Sequence, residues 1–405
     1  MNEERNVVYA IGAGMGTKGL LTREAQECIE ACDILMGSRR MTEAFQNLGK
    51  PCFCEYRPQK ILEYLTVHPQ YRKCAVLFSG DIGFYSGAKK LSQVLEDAGI
   101  EVRFLPGISS VVYLASRLNV SWEDAKLTSL HGREEALIDA VARYEKTFCL
   151  LGGDQGREFC QKIKKYDFPD VRLFIGRRLS YADEEILERS AGEAEPRELE
   201  GLVTVLIENP RWEGRIRRRP KDEEFIRGNI PMTKAEVRAV SLAKLGLAEG
   251  AVFYDIGAGT GSISVEAALS AERIRVYAIE KNPEGIRLIE ENHIQFKTEQ
   301  IEIIEGEAPE VLEGLEAPTH VLIGGSSGKL KEILRLVREK NPYVLIVIHA
   351  VSLETLQEVT QAAQEGLLYD PEVVQIQVAK ARKLGEHHLM MGQNPVYLIS
   401  DGGSK

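Results

Sequence analysis

The segment Asp255-Ile-Gly257-Ala258-Gly259-Thr260-Gly261 constrains this chain more than any other, because it joins an apolar run, AVFYDI, to a helical one, SISVEAALS. Glycines at this spacing turn the backbone tightly and let it approach a neighbour closely, and the helix that follows presents free N–H groups. A strand ending in such a turn opens a parallel βαβ unit. The alternation continues. RVYAIEKN, IEIIEGEAP, THVLIGGSS and YVLIVIHA read as strands with helices between them, one of which reaches Phe296, and a helix from Lys234 precedes the series. The pattern predicts a doubly wound, largely parallel sheet over residues 222–405. It is closed by an antiparallel pair, VVQIQVAKARKL with NPVYLISDG, in which Pro395 stands at a strand start.

Nineteen residues after Gly261, Glu280 ends the next strand, where a carboxylate can accept hydroxyl protons of a ribose. NAD enzymes and S-adenosylmethionine (SAM) methyltransferases share that arrangement. Two details favour SAM. The glycines follow G-x-G-x-G and lack the later third glycine of the dinucleotide fingerprint. Asp255 also lies two positions before the first glycine, placed to face an ammonium group. A third strand end, Glu305-Gly306-Glu307-Ala308-Pro309, is placed to border an adenine ring.

The first 209 residues alternate in the same way with different punctuation. VVYAIGAG is a strand entering a turn at Gly12-Ala-Gly14-Met-Gly16, and LTREAQECIEACD is a helix with a threonine cap. CAVLFSGD, EVRFLPG, KTFCLLGG, VRLFIGRR and GLVTVLIENP read as further strands; SGAKKLSQVLEDAG and the stretch from about Ser109 read as helices. Small residues and an acid fall at successive strand ends, in Ser79-Gly80-Asp81, Pro106-Gly107-Ile-Ser109-Ser110 and Leu150-Leu151-Gly-Gly-Asp154. They describe a cleft that admits a flat adenosine, between two subdomains that change over near Pro106-Gly107. No repeat relates the halves, so the expectation is a fusion of unlike units: residues 1–209, a linker at 210–221, and residues 222–405.

A chain of 405 residues is long enough for more than one core. No apolar stretch approaches the length that spans a bilayer, and MNEERNVVYAIGAG runs from charged residues straight into a strand. A cytoplasmic protein without a membrane partner is therefore expected. All seven cysteines lie between Cys28 and Cys160, an odd number that argues for reduced thiols. Cys52 and Cys54, a C-x-C pair, are expected to be small, partly buried residues. The net charge of −10 divides into −1 for residues 1–220 and −9 for 221–405, so neither half has the basic balance of a nucleic-acid binder. The basic run RWEGRIRRRPK reads as a solvated linker. Metal-ligand clusters, a Ser-His-Asp arrangement and a Walker loop are absent by spacing.

FIRGNIPMTKAEVR, DIGAGTG, YAIEKNPEGI, EGEAPE, LIGGSSGKLKEIL, HAVSLETL and MMGQNPVYLI together resemble the decarboxylating precorrin-6B 15-methyltransferase family over most of residues 222–400. The resemblance implies SAM contacts at Thr233, Gly257, Ala258, Gly259, Thr260 and Gly261, at Glu280 for the ribose, and at the Ala308 backbone for adenine. Thr233-Lys-Ala-Glu236 also reads as a capping box. The strand-end motifs of residues 7–208 resemble the tetrapyrrole methylase family, and SLHGR (129–133) with GRRLSYADEEI (176–186) resembles its precorrin 5-methyltransferase branch. That resemblance implies a SAM site with Gly80, Asp81 and Phe84 on one wall and Ser109, Ser110 and Leu151 on the other.

The implied architecture is α/β throughout: a tetrapyrrole-methylase fold of two α/β subdomains with a cleft, followed by a Rossmann-like SAM-dependent methyltransferase domain. The pair resembles the fused, decarboxylating precorrin 5,15-methyltransferases. This implies methylation at carbons 5 and 15 of precorrin-6B, or its cobalt-containing counterpart, with loss of the ring-C acetate carboxyl and with two SAM sites. No catalytic side chain is assigned, since the macrocycle itself can accept the electrons released. Another tetrapyrrole, an unrelated small molecule and a non-catalytic nucleotide-binding module stay open as alternatives. The implied substrate is a polycarboxylate, so local cations must meet it. Candidates are His131 and Arg133 in the first half, and Arg227, Lys234, Arg238 and Arg382, with Lys380 and Lys383, in the second. Lys234 and Arg238 are spaced i, i+4 and are expected to share one helix face. A homo-oligomer is expected.

Overall fold

In the computed structural model, which describes residues 7–130, 136–214 and 217–402, the run VVYAIG forms the strand β1 (Val7–Gly12). It pairs in a five-stranded parallel sheet with β2 (Ile34–Gly37), β3 (Cys52–Phe53), β4 (Lys73–Phe78) and β5 (Glu101–Leu105), in the order β3-β2-β4-β1-β5. Strand residues alternate between the two faces, and helices cover both. Ala75 and Leu77 of β4 pack with Ala25 and Ile29 of α1 (Arg23–Ala31) and Met41 of α2 (Arg39–Glu43). Cys74 and Val76 pack the opposite way, with Ile61 of α3 (Pro58–Val67) and Leu91 of α4 (Ala88–Asp97). The expected Thr22 cap is present: its hydroxyl accepts from Ala25 N at 3.1 Å.

A second five-stranded sheet follows α5 (Ser110–Leu118). Its strands are β6 (Lys126–Ser129), β7 (Lys146–Leu151), β8 (Arg172–Arg177), β9 (Glu185–Ser190) and β10 (Val203–Glu208), in the order β6-β7-β10-β8-β9. Only β6 and β7 run parallel; the other pairs are antiparallel. Leu114 and Ala115 of α5 pack on Phe148 and Leu206 of this sheet. Two helices lie between β6 and β8 in the chain, α6 (Leu137–Arg143) and α7 (Gln155–Lys165).

Helix α8 (Ala235–Leu245) precedes a seven-stranded sheet. It contains β11 (Val252–Ile256), β12 (Arg275–Glu280), β13 (Ile301–Glu305), β14 (His320–Ile323), β15 (Leu345–Ala350), β16 (Glu372–Ile376) and β19 (Val396–Asp401). A hairpin of β17 (Ala379–Leu384) and β18 (His387–Gly392) interrupts the last two. The order β13-β12-β11-β14-β15-β19-β16 reverses at β11, the switch point where open α/β sheets leave a crevice at their strand ends. On one face, Phe253 packs with α8 and α9 (Ser262–Ser270), with α10 (Pro283–Gln295) completing the layer; on the other, Tyr254 and Ile256 pack with α11 (Leu330–Lys340) and α12 (Leu353–Gln364).

The expected closing pair is half realised. VVQIQ joins β19 antiparallel, with Ile399 opposite Val373, and Pro395 directly precedes β19. AKARKL leaves the sheet instead and pairs with HHLMMG, and every residue of β18 is exposed. A strand of alternating charge has no apolar face to bury.

The structure forms two compact units, Met1–Glu134, Lys146–Lys164 and Phe168–Pro210 in the first, and Glu135–Glu145, Lys165–Asp167 and Arg211–Lys405 in the second. Helix α6 is thus a member of the second unit. Its Arg143 is buried, pairs with Asp139 at 2.7 Å, and donates to the carbonyls of Ala268 and Leu269 at the end of α9. The run after Pro210 is mostly exposed among its described residues but is anchored at Arg217. Arg217 is buried, bonded to Glu213 and to the carbonyl of Phe296 at 2.7 Å. All seven cysteines are free thiols, but Cys52 and Cys54 are exposed, contrary to the expectation of partial burial, because β3 is a two-residue edge strand. No helix among the described residues is long and apolar enough to cross a membrane, and no cluster of metal-ligating side chains occurs among them.

Candidate active sites

In the first unit, the strand-end loops enclose a cavity of about 520 Å³. Gly80, Asp81, Phe84, Ser109, Ser110 and Leu151 all line it, brought together from the ends of β4, β5 and β7. Local chemistry fixes each wall. Asp81 accepts from Gly83 N at 2.7 Å and from Gly107 N at 3.1 Å, tying the two loops to each other. Ser109 caps α5 by accepting from Val112 N, and Ser110 accepts from Thr204 at 2.8 Å. Gly12 and Gly14 are not cavity residues. Gly14 and Gly80 exchange a pair of backbone hydrogen bonds, and a Cβ on Gly107 would fall 2.3 Å from the carbonyl oxygen of Gly12. These glycines serve the contact of one loop with another.

Sequence reasoning missed the cavity residues on α2 and after β8. Arg40 donates to the Met15 carbonyl at 2.9 Å, to the Tyr181 hydroxyl at 2.8 Å and to the Ser79 hydroxyl at 2.8 Å. Tyr181 in turn donates to the Met15 carbonyl. The available signal was the Ser38-Arg39-Arg40 run after ILMG, four apolar residues that are the strand β2. His131 and Arg133 lie outside the described residues.

In the second unit, Gly257, Gly259 and Gly261 all take positive φ. A Cβ on Gly257 would lie 2.8 Å from Gly325 N, and one on Gly261 would lie 3.0 Å from Ile289, so both positions are closed by packing. Around Gly259 the nearest atoms stand 3.6 Å away. Gly259 N donates to Glu280 at 2.7 Å, and the other carboxylate oxygen of Glu280 accepts from Lys281 N and Asn282 N. Three of its roughly four acceptor positions are thus occupied, so Glu280 can take one further hydroxyl without releasing the loop. Thr260 is buried and its hydroxyl has no hydrogen-bond partner among the described residues. Ala258 sits in the same turn, its N–H on the Ile279 carbonyl, and Ala308 is buried beyond the end of β13.

Asp255 is 1% exposed and accepts from the Ser264 hydroxyl at 2.5 Å. Burial pushes its carboxyl up to about 6, against the opposing pull of that hydrogen bond. On the next strand but one, His349 is buried with Nε2 2.7 Å from the Ser241 hydroxyl, and burial lowers its pKa to about 4.

Two expectations for this unit need correction. The first is the capping box: α8 begins at Ala235 with Lys234 at the cap position, and no capping side chain acts there. The cap comes from Asp222, which accepts from Ala235 N at 3.0 Å, while the Thr233 carbonyl accepts from Arg238 at 2.6 Å. The second is Arg238 as a cation shared with Lys234 on an open face. Arg238 is fully buried, held by Asp222 at 2.8 Å and Glu266 at 2.6 Å and stacked over the Phe225 ring. A guanidinium with two buried carboxylates is neutralised in place and has nothing to offer a substrate. Lys380 is likewise engaged by Glu236 and Asp222, and Arg227 donates to the Asp222 carbonyl. Arg382 and Lys383 are exposed on the hairpin.

A two-sheet unit with a strand-end cavity, followed by a Rossmann-like unit with a glycine turn tied to an acid, defines a bipartite α/β methyltransferase. Residues 7–195 match the family model of the Tetrapyrrole (Corrin/Porphyrin) Methylases, and residues 224–400 match that of the Precorrin methyltransferase domain. A Sulfolobus acidocaldarius protein named probable cobalt-precorrin-6B C(15)-methyltransferase (decarboxylating) is 41% identical over 181 residues, 44% of this chain and 94% of its own. The cobalt-precorrin-6B C(15)-methyltransferase (decarboxylating) of Salmonella typhimurium is 37% identical over 182 residues, with the same two coverages. A solved precorrin-6y C5,15-methyltransferase from Geobacter metallireducens is 38% identical, spans 45% of this chain and 97% of its own, and has a TM-score of 0.43. The chain belongs to the cobalt-precorrin-6B C(15)-methyltransferase (decarboxylating) family, and its first unit is a tetrapyrrole methylase domain.

Proposed function

We propose that the chain is a bifunctional SAM-dependent C-methyltransferase of corrin biosynthesis. Its first unit methylates carbon 5, and its second methylates carbon 15 and removes the ring-C acetate carboxyl, on precorrin-6B or its cobalt-containing counterpart. The observation that carries this reading is the pairing, in one chain, of a strand-end cavity in the first unit with a glycine turn held by an acid in the second. In the first unit, the six strand-end residues share a cavity of about 520 Å³, within the range of small-ligand sites. In the second, the middle glycine of the turn donates its N–H to Glu280, which keeps one acceptor position for a hydroxyl. Both fit SAM. Bound there, SAM supplies an electrophilic methyl group.

The protein's part is positioning. Gly80, Asp81, Phe84, Ser109, Ser110 and Leu151 would hold the cofactor in the first unit. Thr233, the Gly257–Gly261 turn, Glu280 and Ala308 would hold it in the second, with the orphaned Thr260 hydroxyl gaining a partner. Alignment of the reacting carbon and exclusion of water then account for most of the acceleration. The reading includes a cytoplasmic homo-oligomer acting on a polycarboxylate tetrapyrrole, with no nucleic-acid or membrane partner.

Incubation of precorrin-6B with the full chain and SAM, followed by mass spectrometry, tests it. Gain of two methyl groups and loss of one carbon dioxide is expected. A product with both methyl groups and every carboxyl retained would remove the decarboxylation, and an unmodified macrocycle would overturn the reading.

A further inference from the structure

Arg40 lines the first unit's cavity, half-buried, at the second residue of α2. Its three contacts, the Met15 carbonyl and the hydroxyls of Tyr181 and Ser79, are all uncharged. Nearby arginines are built differently: Arg39 faces Glu43, Arg57 faces Glu55, and Arg178 faces Asp183. Among the described residues no carboxylate lies within 4.0 Å of Arg40. The one acid on the cavity wall, Asp81, spends both oxygens on backbone N–H groups.

A guanidinium stays charged at any physiological pH, and withdrawing it from water without a counter-ion is unfavourable. Here it is nevertheless fixed in direction by three acceptors from three loops. Three of its five N–H donors are used, leaving Nε–H and one Nη2–H, two donors on adjacent nitrogens that a carboxylate takes side by side.

We propose that Arg40 receives a carboxylate of the bound ligand and so sets the orientation of the macrocycle in the cavity; this rests on the function proposed above. Both SAM and a tetrapyrrole with acetate and propionate arms carry carboxylates. The loops assigned to SAM follow β4, β5 and β7; Arg40 reaches the first of them through Ser79 but stands on α2 after β2, beside Ser38 and near Tyr56, neither of which is assigned to SAM. We assign the carboxylate to an arm of the tetrapyrrole because the α2 side of the cavity holds no residue assigned to SAM. Tyr181, which accepts from Arg40 and donates to Met15, is a positioning residue for it.

The test uses the full chain with Arg40→Met, Arg40→Lys and Tyr181→Phe, following carbon-5 methylation by mass spectrometry and SAM binding by calorimetry. Arg40→Met is expected to raise the tetrapyrrole KM about ten- to hundredfold, the scale of one lost charge-assisted contact. SAM affinity should stay within about twofold, Arg40→Lys should restore part of the loss, and Tyr181→Phe should give a smaller rise in KM. An unchanged KM in a folded Arg40→Met chain overturns the proposal and leaves Arg40 a neutral strap between loops. A SAM Kd that rises in step with KM assigns the contact to the SAM carboxylate and also overturns it. Should Arg40→Met not fold, a substrate with esterified arms decides: wild type must lose affinity for it, and Arg40→Lys must lose less. Failure of the wild-type chain to methylate carbon 5 at all would defeat the proposed function itself.

Discussion

The turn at Gly12-Ala-Gly14-Met-Gly16 and the turn at Gly257-Ala-Gly259-Thr-Gly261 have the same glycine spacing, and each leaves a parallel strand. In the first unit Gly12 is pressed against Gly107, and Gly14 is bonded to Gly80, so the cavity lining falls to Met15 and to the loops those contacts hold. In the second unit the outer two glycines are pressed against neighbours, as Gly12 and Gly16 are in the first, but the middle one is tied to the Glu280 carboxylate where Gly14 is tied to backbone. Glycine spacing therefore records a close approach of backbone without saying what approaches. The acid that engages the second turn is the feature that separates it from the first, whose partner is backbone.

Gly107→Ala gives the largest effect by which to break this comparison. Its Cβ would meet the backbone of Gly12 and Gly80 within 2.3–2.5 Å, and backbone cannot step aside as a side-chain tip can. Destabilisation of the first unit by more than about 3 kcal/mol is expected, measured by denaturant unfolding with collapse of SAM binding there. A wild-type midpoint would show that the loops are not closed on each other.

Next comes the pH dependence of the second unit. Asp255, with a folded pKa near 6 against about 4 unfolded, contributes stability at low pH that is lost as pH rises through about 6. His349, near 4 folded against about 6.5 unfolded, contributes stability above about 6.5 that is lost as pH falls through about 4. The two slopes oppose each other within one window. Relative to wild type, Asp255→Asn should gain stability as pH rises from 4 to 7, and His349→Gln should gain as it falls, each by about 3 kcal/mol at most. Parallel stability curves for either variant and wild type would contradict this.

Glu280→Gln sharpens the contrast at the ligand. Amide nitrogen cannot accept the N–H bonds now made to one of the two oxygens, so the turn loosens as the ribose acceptor is weakened. A loss of SAM affinity of about tenfold, confined to the second unit, is expected by calorimetry; an equal loss at both sites would mean that the turns do not act separately. Gly259→Ala should be the mildest. Space is available, and the positive φ of +59° alone costs a non-glycine residue about 1 kcal/mol. Damage as severe as that of Gly107→Ala would place Gly259 with the packed glycines.

The second unit was the more legible in the sequence because its central strands β11, β14 and β15 are buried on both faces and read as continuous apolar runs. The first unit was legible at β1, β4, β7 and β10 for the same reason, and at the mostly exposed β5 through the Pro-Gly that follows it. It was opaque at β2, β3 and β6, which are two to four residues long, and at β9, whose EILERS pattern lacks an apolar face. Arg40 was hidden with β2. Arg238 was misread because helical spacing places it beside Lys234, whereas the carboxylates that bury it arrive from 16 residues before and 28 residues after it. Local periodicity carries no information about such partners.

Helix α6 sets an order of events during synthesis. All seven of its residues are buried, yet the carbonyls that Arg143 caps are translated 125 residues later. Leu137, Ile138 and Val141 must therefore leave the ribosome long before anything exists to cover them, while the strands on either side of them in the chain can already pair. The strands of the first unit can pair early, while the apolar residues of α6 await partners of their own unit. A nascent chain halted near Pro210 would carry α6 without its partners, which arrive with Glu213, Arg217, α9 and Glu299.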